Sequence, residues 1–172
     1  MKYLSLCLIL ICSGFLLNAQ THYTLLDDEK SPGSKYLYGF ISKYRIENDP
    51  AYNWYNSSRS SYTPERKVLD AMEASKSKIQ FIIFGGTWCE DTQFILPKFF
   101  KLQELSGFPD SAISLLAVNR KKKTPGNLAD AMGITNVPTI IIMKEGKEKG
   151  RIVEYGKTGK WDEELASLLM QL

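Results

Sequence analysis

Residues 79–92, which read IQFIIFGGTWCEDT, decide the fold of this chain. The first half is a short run rich in isoleucine and phenylalanine, which is typical of a strand buried on both faces. Two glycines follow and allow a sharp turn, because glycine reaches backbone angles that are closed to other residues. The apolar run from Phe94 to Leu102 then has helical spacing. The pattern predicts a strand, a tight turn and a helix, with Trp88 and Cys89 at the junction.

This pattern places Cys89 at the N-terminus of the predicted helix. Unpaired backbone N–H groups and the helix dipole favour an anion at such a position, and a thiolate is an anion. The alternative is a small buried hydrophobic residue, which is what most lone cysteines are. Trp88 is similarly open to two interpretations: a flat apolar cover beside the thiol, or ordinary packing.

Four landmarks, in the order in which the thioredoxin family has them, carry a resemblance to that family. They are Trp88-Cys89 after a buried strand, Pro97 in the following helix, Val137-Pro138-Thr139, and the turn Glu145-Gly146-Lys147 between two strands. The resemblance spans residues 63–172 and implies an α/β thioredoxin-like fold, with a central mixed β-sheet flanked by helices. The stretch FGGTWCEDT also looks closer to a branch of secreted bacterial thioredoxin-like proteins than to thioredoxin itself.

The active-site motif departs from the family pattern at its last position. The family usually carries C-x-x-C, whereas this chain carries Cys89-Glu90-Asp91-Thr92. In a C-x-x-C protein the second thiol resolves the mixed disulfide that the first thiol forms, and a threonine hydroxyl cannot do so. Thr92 could instead donate a hydrogen bond to the Cys89 thiolate or act as a second helix cap. The motif predicts exchange through a single thiol that depends on an external thiol.

The resemblance also implies a substrate-docking edge at Val137 and Pro138. A cis proline there leaves the backbone of its neighbour free, so that an extended peptide can pair with it as a strand. The alternative is a rigid turn between a helix and a strand. Protein or peptide thiols and disulfides are therefore the expected partners, together with a small-molecule thiol.

Three carboxylates are candidates for proton transfer or for tuning the thiol. Glu90 and Asp91 stabilise the first helical turn, but as like charges they disfavour an adjacent thiolate. The buried carboxylate that the family commonly has six residues before the cysteine is replaced by Ile83. Glu154, at the end of a predicted strand over residues 150–154, is the candidate substitute. Its other interpretation is an exposed strand end.

Residues 1–19 are predicted to be a secretory signal peptide. Lys2 supplies the positive start, an apolar stretch too short to span a membrane follows, and Ala19 is a small residue for cleavage. A lipoprotein acylated at Cys12 is the alternative, which the bulky Ile11 before it disfavours. Without this segment Cys89 is the single cysteine. We expect a periplasmic or extracellular protein with no membrane span after cleavage.

The rest of the chain is predicted to be an aromatic-rich N-terminal extension, residues 20–62, and a thioredoxin-like domain, residues 63–172. The extension is interpreted either as aromatic packing against the domain or as a lid near Cys89. The basic run of residues 120–123 is interpreted as a solvated loop, with partner binding as the alternative. The net charge of +3 is too small to indicate nucleic acid as a partner.

One histidine, His22, makes a histidine-based metal site or a Cys-His catalytic pair implausible, and no metal or cofactor is expected. Two functions from different classes remain open. The first is an exported thiol-disulfide exchange protein that acts through Cys89, a possible oxidoreductase without a resolving cysteine. The second is a redox-inactive binding module for a protein or peptide partner.

Overall fold

Residues 22–172 are described by a computed structural model of the chain. The predicted signal peptide, its cleavage site after Ala19, and the cysteines Cys7 and Cys12 lie outside the described residues. Between residues 22 and 172, no helix has both the length and the apolar character that a membrane crossing needs.

Strands and helices alternate along most of the chain. They are β1 (Tyr23–Asp27), β2 (Lys35–Ile41), α1 (Lys43–Glu47), α2 (Trp54–Ser60), α3 (Arg66–Ser75), β3 (Gln80–Gly85), α4 (Glu90–Ser106), β4 (Ile113–Ala117), α5 (Leu128–Ala131), β5 (Thr139–Lys144), β6 (Lys147–Val153) and α6 (Trp161–Leu169). The strands form one mixed sheet in the order β1-β2-β4-β3-β5-β6. Only the central pair β3 and β4 is parallel, and the other neighbours are antiparallel. The predicted α/β fold with a mixed sheet flanked by helices is confirmed.

The central strand β3 is buried on both faces, as its apolar run predicted. Phe81 and Ile83 face the larger core, which α2, α3, α4 and α6 cover. Phe84 faces a smaller core on the other side, together with Leu116 and Ile141. The alternation follows from the period of two along a strand. It leaves the end of β3, and the loop after it, anchored between two packed layers.

The aromatic-rich segment before residue 63 contributes to the sheet itself. Its strand β2 pairs with β4 through Gly39–Ile41, and β1 forms the sheet edge. Tyr52 and Tyr55 are buried in the larger core. Helix α3 begins at Arg66, because the chain stays extended through Glu65, its N-cap residue.

Helix α4 is the element that carries the predicted active-site motif. Cys89 has extended backbone angles and caps its N-terminus, and the helix then runs for 17 residues. Gly107 ends it in the left-handed conformation, with a φ of 67° that a residue with a side chain rarely adopts. Pro97 lies inside the helix and is buried. A long helix thus begins directly at the cysteine.

Candidate functional site

Cys89 lies half-buried where the loop after β3 enters α4. Its backbone N–H donates to the carbonyl of Gly86 at 2.8 Å, which closes the turn that the two glycines predicted. Its thiol Sγ lies 3.3 Å from the carbonyl oxygen of Val137 and donates to it. The fold thus brings together the cysteine and the proline loop that the sequence predicted to be neighbours.

The Val137-Pro138 peptide bond is cis, and both residues are buried. The carbonyl of Pro138 accepts a 2.7 Å hydrogen bond from the Glu154 N–H, which ties the loop to the end of β6. Among residues 22–172, by contrast, no hydrogen bond engages the N–H of Val137. One backbone donor beside the Cys89 sulfur is therefore not used by the described part of the chain.

Thr92 lies one helical turn after Cys89 and is fully buried. Its Oγ1 accepts a hydrogen bond of 3.2 Å from the N–H of Gly86. Its methyl group fits against Gly85, where a Cβ atom would come within 2.9 Å of Thr92 Cγ2. Within the described residues, no hydrogen bond joins Thr92 to the Cys89 sulfur. The geometry makes Thr92 an anchor for the turn that precedes α4, because the Gly86 N–H that it binds lies outside the helix.

Trp88 covers the other side of the turn. Its indole N–H donates to the carbonyl of Val118 at 3.1 Å. The guanidinium of Arg120 lies over the ring at 4.9 Å from the centroid, within the range of a cation–π contact. The ring also packs closely on Gly86, where a Cβ atom would come within 2.7 Å of the indole. Trp88 is half-buried with Cys89 against the smaller core.

The interpretation of residues 120–123 as a solvated loop is wrong for Arg120. Its Nε and Nη2 donate to the two carboxylate oxygens of Asp28 at 2.5 Å and 2.7 Å. Asp28 is only 7% exposed, and this hydrogen bond with Arg120 is the main reason that its pKa is lowered. The sequence signal that could have placed Arg120 at the site is its position shortly after β4, a buried strand that runs parallel to β3. The carboxyl ends of parallel strands meet at one edge of a sheet, so Arg120 lies beside the loop of Cys89.

The predicted carboxylates surround the site on the side of α4 and β6. Glu90 is exposed, and Asp91 is half-buried. Glu154 lies just beyond β6, which ends at Val153, in a left-handed conformation with a φ of 52°. The backbone of Glu154 thus lies at the Pro138 loop, as its sequence position indicated. The strand was predicted to end at Glu154, one residue later than β6 ends in the structure.

Tyr155 is a site residue that the sequence did not indicate. Burial is the main cause that raises the pKa of its hydroxyl, and its neighbours Asp91, Cys89 and Glu90 raise it further. Its ring packs on Phe94, with the centroids 5.6 Å apart, and Phe94 is 45% exposed. An aromatic surface therefore flanks the thiol, built from a helix and from the turn after an edge strand.

Metal ligation finds no support in the part of the chain that the structure describes. Across residues 22–172, no group of three or more histidine, cysteine, aspartate and glutamate side chains is arranged to hold an ion. The groups that the described residues do bring together are one thiol, the Val137-Pro138 backbone and carboxylates.

Comparison with known proteins agrees with this arrangement. The family model described as Thioredoxin matches residues 65–169, more than half of the chain. Thioredoxin of Mycoplasma pneumoniae is 30% identical over 89 residues, which cover 52% of this chain and 80% of that protein. Mitochondrial thioredoxin-2 of Schizosaccharomyces pombe is 28% identical over 105 residues, covering 55% of this chain and 74% of that protein.

Among solved structures, the crystal structure of an HIV epitope scaffold is similar to this chain. The match covers 74% of this chain and 90% of the scaffold chain, with a TM-score of 0.53 and 15% sequence identity. That likeness concerns the fold alone. The family model and the relatives decide the assignment: the chain belongs to the thioredoxin family. Membership supports a function like that of thiol-disulfide oxidoreductases, with protein thiols or disulfides as substrates.

Proposed function

We propose that the protein is an exported thiol-disulfide exchange protein that works through the single thiol of Cys89. The observation that carries the proposal is the position of Cys89: half-buried, at the start of a 17-residue helix, and 3.3 Å from the Val137 carbonyl. The N-terminus of a helix carries the equivalent of about half a positive charge, which favours a thiolate. At the cap position Cys89 is only half-buried, which lets a substrate sulfur approach it.

The proposed reaction proceeds in two exchanges. The Cys89 thiolate attacks one sulfur of a substrate disulfide, forms a mixed disulfide with that half and releases the other half as a thiolate. An external thiolate, from a small molecule or a partner protein, then attacks the substrate sulfur of the mixed disulfide. This forms a new disulfide on the substrate and restores the Cys89 thiolate. No net oxidation occurs, because one disulfide is consumed and one is formed.

The proposed docking edge is the backbone at Val137. Its N–H has no acceptor among residues 22–172, and its carbonyl lies at the thiol. An extended peptide that pairs with this backbone would bring a sulfur to Cys89 with its chain fixed on both sides of the reacting atom. Phe94 and Tyr155 provide apolar area for side chains beside that sulfur.

The first test is the rate at which iodoacetamide alkylates Cys89 in the folded protein without residues 1–19, measured from neutral to alkaline pH. Cys89→Ser is the blank. Under the proposal, Cys89 reacts at neutral pH faster than a free cysteine, whose thiol has a pKa of ~8.5. Reaction that appears only after unfolding would reject exchange through Cys89.

The second candidate function is a redox-inactive binding module. The observation that favours it is Thr92, which is buried at the position of the resolving cysteine and bonded to the Gly86 N–H. The two functions differ in their dependence on the sulfur. A peptide with serine in place of cysteine would bind Cys89→Ser and the unaltered protein equally well if the module only binds. Capture of a disulfide-linked peptide by the unaltered protein alone would identify exchange.

Export is proposed from the sequence of residues 1–19. Fractionation of cells that produce the full chain, with protein sequencing of the mature N-terminus, tests it. The proposal expects a chain that begins close to residue 20 outside the cytoplasm, and a cytoplasmic full-length chain would reject it.

A further inference from the structure

We propose that Arg120, held in place by Asp28, is a positioning residue for Trp88 and for the loop that carries Cys89. The segment before residue 63 then belongs to the support of the thiol site. This inference rests on the proposed function only in taking Cys89 as the working thiol.

Besides its packing on the smaller core, the Trp88 indole has three specific contacts within the described residues, and the one with Arg120 depends on a distant partner. The Val118 carbonyl binds the indole N–H at 3.1 Å, and Gly86 leaves room for the ring. Arg120 then covers the ring at 4.9 Å. A planar guanidinium suits this position, because one face can lie on an aromatic ring while its N–H groups donate to a carboxylate in the plane of the guanidinium.

Asp28 fixes the direction of that guanidinium. Both of its oxygens accept from Arg120, and the carboxylate is nearly inaccessible to water. A charged pair of this kind is geometrically specific, since two parallel hydrogen bonds define one plane. The two residues are 92 positions apart. Asp28 also lies outside residues 65–169, which the family model matches, so this support is an addition to the family's domain.

A second tie between the same parts of the chain lies next to Trp88. The backbone N–H of Leu37, in β2, donates to Thr87 Oγ1 at 3.1 Å, and Thr87 is buried. The carbonyl of Thr87 accepts from the Gln93 side chain at 2.9 Å. The residue before Trp88 is thus bound to the N-terminal segment on one side and to α4 on the other. The Asp28–Arg120 pair and the bond from Leu37 to Thr87 together hold the turn that ends at Cys89, and we call these two ties the clamp.

The test compares Arg120→Gln and Asp28→Asn with a matched control, Asp27→Asn. Asp27 is the neighbour of Asp28 and also forms an ion pair, with Lys35, but that pair is exposed. One measurement is hydrogen exchange of the indole N–H of Trp88 by NMR, assigned with Trp88→Phe. The other is the alkylation rate of Cys89. The backbone N–H groups of β3, which is paired with β4 on one side and β5 on the other, report global opening.

Loss of the clamp should accelerate exchange at Trp88 by about tenfold, the range expected when a cation–π contact and its support are lost. Exchange in β3 should change less, the alkylation rate of Cys89 should rise by about threefold or more, and Asp27→Asn should leave all three rates unchanged. Arg120→Lys keeps a cation beside Asp28 but cannot stack as a plane, so it should fall in between. If Arg120→Gln does not fold, the same measurements are made on Arg120→Lys instead.

Hydrogen exchange that stays unchanged at Trp88, or that rises equally at Trp88 and in β3, would overturn the positioning role. Faster exchange at Trp88 with an unchanged alkylation rate would overturn the link to Cys89. If Cys89 of the unaltered protein does not react at all, the thiol-disulfide exchange function fails. The comparison of Trp88 with β3 then still decides whether Arg120 positions Trp88.

Discussion

The Cys89 sulfur lies 3.3 Å from the carbonyl oxygen of Val137, across 48 positions of sequence. The contact joins the thiol at the start of α4 to the loop that leads into β5. A substrate sulfur bound to Cys89 would therefore meet the backbone at Val137 as its nearest neighbour. The thiol and the backbone at Val137 are therefore direct neighbours in the fold.

Replacing Thr92 by cysteine should convert the single-thiol site into a dithiol site. Residues three apart at a helix N-terminus have Cα atoms about 5 Å apart, which suits a disulfide. With an aromatic disulfide reagent that releases a coloured thiol, the unaltered protein should release one equivalent and keep the adduct. Thr92→Cys should release two equivalents and end as an intramolecular disulfide.

Absorbance gives the number of equivalents, and mass spectrometry identifies the product. Cys89→Ser controls for release that does not involve this thiol. A second equivalent from the unaltered protein, or a persistent adduct on Thr92→Cys, would contradict the prediction.

Removing the hydroxyl of Thr92 should destabilise the fold more than removing its methyl group. Thr92→Val keeps the shape but leaves the buried N–H of Gly86 unpaired, at a cost of about 1–3 kcal/mol. Thr92→Ser keeps the hydrogen bond and loses one buried methyl group, at a cost of about 1 kcal/mol. Urea unfolding measures both free energies, and equal stability of Thr92→Val and the unaltered protein would show that the hydrogen bond contributes nothing.

Neutralising the carboxylates beside the thiol should raise the reactivity of Cys89. Glu90→Gln and Asp91→Asn each remove a like charge, and at a separation of about 8 Å in water this accelerates alkylation at neutral pH by about twofold. Salt should shrink the difference. Glu145→Gln, at the far turn between β5 and β6, is the control. Unchanged rates at low salt in both site variants would show that these charges do not act on the thiol.

Stability should fall in acid partly through Glu163. Hydrogen bonds from Lys160 and Lys67 lower its pKa from 4.5 to about 2. A carboxyl whose pKa is lower in the folded state stabilises the fold above its unfolded pKa, and that contribution disappears as the pH falls from 4.5 to about 2. Denaturant unfolding across this range should show a smaller loss for Glu163→Gln than for the unaltered protein. Parallel curves would mean that the two lysines do not hold Glu163 in solution.

Much of the architecture around the cysteine could be predicted from local pattern. The apolar run before Gly85 predicted a strand buried on both faces, and alternate residues do face two cores. The helix predicted after Cys89 begins there, because its apolar spacing and its cap position are both local properties. Local signals failed at Glu154, where the chain leaves β6 in a left-handed conformation. The Gly156 N–H closes this turn on the Val153 carbonyl, and the Glu154 N–H binds the Pro138 carbonyl.

The sequence by itself determined the fold, the position of Cys89 at a helix N-terminus and the absence of a second cysteine in the motif. These depend on residue type and spacing along short stretches, where backbone geometry relates neighbours directly. Only the tertiary structure decided what surrounds the thiol. Asp28 and Arg120, 92 positions apart, meet because β1 and β2 join the same sheet as β4. Pairing between distant strands and the burial of a charge beside its partner are properties of the packed chain, and no local pattern records them.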